Sequence, residues 1–117
     1  SLQRLRSDYV DLLQLHNPTS EVLHENRGVL RTLEIFRQEG KIRTYGLSVK
    51  SPEEGVAAIC KQGVPAIQTN LNMMDLRALD CGLLAAAEER GAGVIARTPL
   101  CFGFLSGKVV SNAVFEK

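Results

Sequence analysis

Four short apolar runs separated by three helix-length stretches constrain this chain more than any other feature. The runs are Tyr9 to Leu15, Ile42 to Ser48, Ala66 to Asn70 and Gly93 to Thr98. The first is interrupted only at Asp11 and Gln14 and stops at His16, before Asn17-Pro18, a dipeptide that favours a turn. Short apolar runs without strict alternation, closed by turn residues, read as strands of a parallel sheet buried on both faces. Each helix expected between them is about ten to fourteen residues long, as parallel crossover units require.

The helices have their own signals. From Arg27 to Glu39, Val29, Leu30, Leu33 and Phe36 recur at helical spacing, and Gly40 supplies a left-handed stop. Ser51-Pro52-Glu53-Glu54 is a helix start: Ser51 caps the Glu54 amide, Glu54 reaches back, and Pro52 suits the first helical position. Val56, Ile59 and Cys60 form the expected buried stripe, ending at Gly63. Asp80 is expected to cap a helix through Arg90, with Leu83, Leu84 and Ala87 inward and Gly91 at its end. Ser1 to Arg6 reads as the last turns of a helix, and Asn17 to Asn26 as a polar loop.

The resulting βαβαβαβ pattern fits a doubly wound sheet or a slice of a (β/α)8 barrel, and periodicity leaves both open. In either, ligands and catalytic groups collect at the carboxyl ends of the strands, where His16 stands. Composition narrows the partners. A chain of 117 residues, 44% hydrophobic, is one domain or part of one, and its net charge of +1 gives no reason to expect nucleic acid or an anionic membrane. No apolar run approaches the length a bilayer needs, and no signal peptide is evident. Cys60, Cys81 and Cys101 are an odd set without a C-x-x-C pair, which fits neither a disulfide framework nor a zinc site. Buried reduced thiols in a soluble cytoplasmic protein, with no metal site, are expected.

Two look-alikes are set aside. Gly103 to Lys108 is similar to a phosphate-cradling loop, but is one residue short between its glycines and has Val109 where a Ser or Thr is needed. Gly91-Ala92-Gly93 precedes a strand, the wrong side for a dinucleotide fingerprint.

The residues at the strand ends carry more information. Asp8-Tyr9-Val10-Asp11-Leu12-Leu13-Gln14-Leu15-His16 and Glu39-Gly40-Lys41-Ile42-Arg43-Thr44-Tyr45-Gly46-Leu47-Ser48 closely resemble successive strand segments of the aldo-keto reductase family. So do Ala66-Ile67-Gln68-Thr69-Asn70-Leu71-Asn72 and Gly93-Val94-Ile95-Ala96-Arg97-Thr98-Pro99-Leu100, followed by Gly103-Phe104-Leu105-Ser106-Gly107-Lys108. The four segments occur in order, at compatible spacings, over nearly the whole chain.

This resemblance implies a (β/α)8 TIM-barrel segment of four consecutive parallel βα units, strands four to seven of the family barrel, with residues 1–117 a partial reductase domain. It implies NADP(H) lying across the carboxyl face and reduction of a small aldehyde or ketone. Family members use a tyrosine as proton donor, helped by a lysine, an aspartate and a histidine. His16 matches the histidine, whereas Tyr9 and Tyr45 do not match the donor and read as structural. The other three would precede Ser1, and the segment gripping the adenosine 2′-phosphate would follow Lys117. The chain alone is therefore expected to be inactive, and to self-associate through open sheet edges or remain partly molten.

By resemblance, His16 orients the carbonyl and hydrogen-bonds its oxygen as charge develops. Taken alone, it could be an ordinary strand-end histidine. Ser48 and Gln68, otherwise a turn residue and a polar strand end, would hydrogen-bond the nicotinamide carboxamide. Many relatives carry Asn directly after this serine, and Val49 and Lys50 follow here. Many relatives also carry an aromatic residue at Arg97, stacked on the nicotinamide. A guanidinium can stack on a π-face or attract an anion; the alternative is a solvent-facing arginine. Thr98, Leu100 and the loop from Gly103 to Gly107 would lie along the pyrophosphate. Asn70 and Asn72 read either as pocket groups or as solvated loop residues. His24, Arg37, Glu88, Glu89 and Arg90 read as solvated. Two rivals stand beside the reductase: a non-catalytic nicotinamide-binding regulatory subunit of the same family, and an unrelated α/β domain with a polar strand-end rim.

Overall fold

The computed structural model describes residues 2–19 and 27–108. Its elements are α1 (Leu2–Leu5), β1 (Val10–His16), α2 (Arg27–Gln38), β2 (Ile42–Ser48), α3 (Pro52–Gln62), β3 (Ala66–Asn70), α4 (Arg77–Asp80), α5 (Leu83–Arg90) and β4 (Gly93–Arg97), followed by 3-10 turns over Cys101–Ser106. The strands form one parallel sheet in the order β1-β2-β3-β4.

That order separates the two architectures left open by periodicity. A doubly wound sheet reverses its strand order and carries helices on both faces. Here the order never reverses, and one face takes all the long helices. Leu47, Ile67 and Val94 of three adjacent strands pack with Ala58 and Ile59 of α3 and Leu83 and Ala87 of α5. Leu33 of α2 packs against Tyr45, two residues before Leu47 and so on the same face. This is the singly wound arrangement of a barrel wall.

Local sequence accounts for most boundaries. Ser51 Oγ accepts from the Glu54 amide at 3.4 Å, the Glu54 carboxylate accepts from the Ser51 amide, and Pro52 opens α3. Gly63, with φ 66°, ends α3. Gly40, with φ 72°, ends α2, and the Lys41 amide then donates back to the Phe36 carbonyl at 3.0 Å.

Several expectations are corrected. Asp80 is not an N-cap but the last residue of α4; Gly82, with φ 80°, starts α5. The turn forms earlier because the Leu79 and Asp80 amides both reach the Leu76 carbonyl and Ala78 is fully buried. Leu83 and Ala87 are buried as expected, while Leu84 is only half-buried. Cys60 is exposed, and Cys81 and Cys101 are half-buried; all three are free thiols. The buried face of α3 is turned toward Gly55, Ala58 and Ile59 because the helix sits hard on the sheet. A Cβ at Gly55 would lie 2.9 Å from Ile67 and 3.1 Å from Leu83. That rotation leaves Cys60 outward.

Among the described residues β1 is an edge strand paired with β2, and Leu13 is 36% exposed. β4 stops at Arg97, because Thr98 adopts a left-handed φ of 54°. The polar loop is described only to Thr19, and His24 lies outside the described residues. No helix among the described residues is long and apolar enough to cross a membrane.

Candidate active site at the carboxyl ends of the strands

Strand register brings the predicted residues together. His16 is opposite Ser48, Ser48 is opposite Gln68, and Gln68 is opposite Ile95. Leu47 and Ile67, one residue earlier, point into the helix-covered core. The row His16–Ser48–Gln68 therefore faces the other side of the sheet. His16 is exposed, Gln68 half-buried and Ser48 buried. Backbone bonds hold the row beyond the strands: the Asn17 amide donates to the Ser48 carbonyl at 2.7 Å, and the Val49 amide to the Gln68 carbonyl at 2.9 Å.

Arg97, at the end of β4, is not a solvent-facing side chain. It is half-buried and reaches back across β3 to β2. Its Nε donates to Asn70 Oδ1 at 2.9 Å, Nη1 to Ser48 Oγ at 3.2 Å and Nη2 to the Val49 carbonyl at 3.2 Å. The guanidinium thus ties three strand ends together and fixes the Ser48 hydroxyl. Because Ser48 Oγ accepts from Arg97, its own proton stays available to a ligand acceptor. The Gln68 side-chain amide makes no hydrogen bond among the described residues. A donor at Ser48 and a donor–acceptor pair at Gln68 therefore stand in one row, the set a primary carboxamide needs.

Asn70 and Asn72 are both half-buried, and both side chains are hydrogen-bonded. Asn70 Oδ1 accepts from Arg97 and lies 3.2 Å from Thr98 Oγ1, while Asn72 Nδ2 donates to the Thr98 carbonyl at 3.0 Å. Both brace the ends of β3 and β4. Thr98 joins the cluster through Asn70. Leu100 and Gly103 do not reach the row; they sit in the turn beyond β4, where the Gly103 amide donates to the Leu100 carbonyl at 3.0 Å. Cys101, Phe102 and Gly103 there take consecutive positive φ values of 46°, 54° and 98°. Left-handed non-glycine residues are costly and concentrate at functional sites.

Sequence reasoning did not single out Asn17. Its side-chain Nδ2 lies 3.3 Å from His16 Nε2, an arrangement that depends on the ring tautomer. Its φ of 45° is one that Asn tolerates better than most residues, and Asn-Pro after a strand is the signal that could have marked it. The tyrosines stay away from the row. Tyr45 packs in the helix-side core, where burial raises its hydroxyl pKa. The Tyr9 ring lies under the Arg43 guanidinium, 4.8 Å away, at the opposite end of the sheet.

A family model described as the Aldo/keto reductase family matches residues 1–117. Over 116 residues the chain is 34% identical to an uncharacterized oxidoreductase, YqkF, of Bacillus subtilis (strain 168), covering 97% of this chain and 36% of that protein. Among solved structures, the apo form of aldo-keto reductase AKR11C1 from Bacillus halodurans matches with a TM-score of 0.81 and 29% identity, over 95% of this chain and 38% of that one. An aldo-keto reductase from Klebsiella pneumoniae in complex with NADPH matches with a TM-score of 0.69 and 28% identity, over 89% and 37%. The chain spans little more than a third of each of these proteins.

Proposed function

The chain belongs to the aldo/keto reductase family, its four βα units being a partial segment of the family's (β/α)8 barrel, and from that premise we propose that it carries part of the site of an NADP(H)-dependent reductase of small aldehydes or ketones. The observation that carries this reading is the register row His16–Ser48–Gln68 on the helix-free face. NADPH, the nucleotide in complex with the Klebsiella pneumoniae reductase, supplies a hydride when bound.

The chain's own residues supply binding and orientation. Ser48 donates its free hydroxyl proton to the carboxamide oxygen, and Gln68 pairs with the carboxamide nitrogen. A ring held by two such bonds presents one face to the substrate. His16, in the same row and exposed, hydrogen-bonds the carbonyl oxygen as negative charge develops on it. Arg97 offers its guanidinium plane to the ring. Thr98, Leu100 and Gly103 lie along the pyrophosphate, where the left-handed turn after β4 brings backbone close to phosphate oxygens.

The test uses the full-length gene product that contains this chain. His16→Ala should lower kcat/KM for a simple aldehyde by roughly two orders of magnitude while leaving NADPH affinity nearly unchanged. Gln68→Ala should weaken NADPH binding by about 1–2 kcal/mol. Calorimetric titration showing equal NADPH affinity in wild type and Gln68→Ala would remove the carboxamide from this row. NADPH binding with no turnover of any carbonyl compound would instead mark a regulatory subunit.

A further inference from the structure

Every oxygen that holds Arg97 is formally neutral: the Asn70 amide, the Ser48 hydroxyl and the Val49 carbonyl. No carboxylate forms an ion pair with it among the described residues. Neutral acceptors orient a guanidinium without cancelling its charge. The three bonds use one donor on each nitrogen and leave one N–H on each terminal nitrogen unassigned. The strand ends therefore hold a half-buried, geometrically fixed cation with no counter-charge among the described residues, one hydrogen bond from the Ser48 hydroxyl.

We propose that Arg97 makes the site discriminate between the oxidation states of a nicotinamide nucleotide, favouring the reduced form. The inference rests on the placement of the carboxamide at Ser48 and Gln68 given above. A carboxamide bonded to Ser48 Oγ brings its attached ring close to the guanidinium that donates to the same oxygen. The nicotinamide ring is neutral when reduced and carries one positive charge when oxidised. Only the oxidised form therefore places a second cation beside Arg97. Two unit charges a few ångströms apart, at an effective dielectric constant near 20, repel enough to weaken binding by roughly tenfold or more. An aromatic side chain at this position has the opposite preference, since its negative π-face attracts a cationic ring.

Calorimetric titration of the full-length gene product with NADPH and NADP+ separately tests this, in wild type, Arg97→Gln and Arg97→Lys. The expected wild-type preference for NADPH is about tenfold or more, collapsing in Arg97→Gln mainly through tighter NADP+ binding and largely retained in Arg97→Lys. An Arg97→Gln protein with the wild-type NADPH-to-NADP+ ratio overturns the proposal. Should that variant lose cooperative thermal unfolding, Arg97→Trp takes its place as the neutral variant, and the same ratio decides. If wild type binds neither nucleotide, the carboxamide reading fails and the inference falls with it. If both bind and the ratio ignores residue 97, the inference fails alone.

Discussion

Leu47 and Ser48 are neighbours in β2, as are Ile67 and Gln68 in β3, yet each pair divides between two environments. Leu47 and Ile67 are 0% exposed beneath α3 and α5. Ser48 and Gln68 face the side without helices, in register with His16. A strand's period of two makes this division possible. The same backbone bonds that hold the core also fix the spacing of the polar row, so one residue step separates the packed core from the polar row. Substitutions on the two faces should therefore differ in kind. Ile67→Ala should cost the full-length gene product about 2–5 kcal/mol, because it removes packed methyl groups and leaves a cavity between α3, α5 and the sheet. Gln68→Ala should shift stability by only about 0.5 kcal/mol or less, its effect falling on nucleotide affinity. Chemical denaturation measures both. An Ile67→Ala midpoint equal to wild type would break the comparison at its strongest point.

The helix-covered face was largely legible in the sequence. Ile42 to Ser48 and Ala66 to Asn70 were bounded as the structure has them, since turn residues close both runs. The Ser51–Glu54 capping box was legible for the same reason: its chemistry is local. Misreadings arose where a tertiary contact decided. The spacing of Val56, Ile59 and Cys60 marks a stripe, but the close seating of Gly55 on Ile67 and Leu83 sets which side of α3 is inward. Asp80 has the identity of a cap, yet the bonds to Leu76 and the burial of Ala78 start the turn earlier. On the open face, the strand-end positions of His16, Ser48 and Gln68 were readable, and their shared row required the register. The reach of Arg97 to Ser48, 49 positions away in sequence, could not be read from either segment alone.

Gly46 shows where the two faces constrain each other. It precedes Ser48 by two and so lies on the open face, but there the neighbouring strand leaves no room for a side chain. A Cβ at this position would stand 2.6 Å from the Ala66 carbonyl oxygen and 3.0 Å from the Ala66 Cβ. Backbone cannot yield as a side chain can. Gly46→Ala should therefore cost about 1–3 kcal/mol, the scale of overpacking. It should also weaken NADPH binding, since spreading the strands pulls Ser48 from Gln68. Loss of stability with unchanged NADPH affinity would show that the row tolerates the movement. Unchanged stability would show that the close approach relaxes freely.

Thr69 gives the finest test, because it puts a polar atom on the face assigned to packing. It lies two residues after Ile67, is 0% exposed, and its Oγ1 has no hydrogen-bond partner among the described residues. A buried hydroxyl without a partner loses its water hydrogen bonds and gains nothing in exchange. Valine has nearly the same shape, keeps the branched Cβ that a strand favours, and replaces that hydroxyl by a methyl group. Thr69→Val should accordingly be neutral or stabilising by about 1 kcal/mol or less, with nucleotide affinity and kcat/KM unchanged. Thermal unfolding of the full-length gene product measures the sign. A loss of more than about 1 kcal/mol would mean that Oγ1 is satisfied in solution, by water or by a residue outside those described, because only a lost partner makes a buried hydroxyl this valuable. The division between a packing face and a polar face would then hold for Leu47 and Ile67 but stop short of the end of β3.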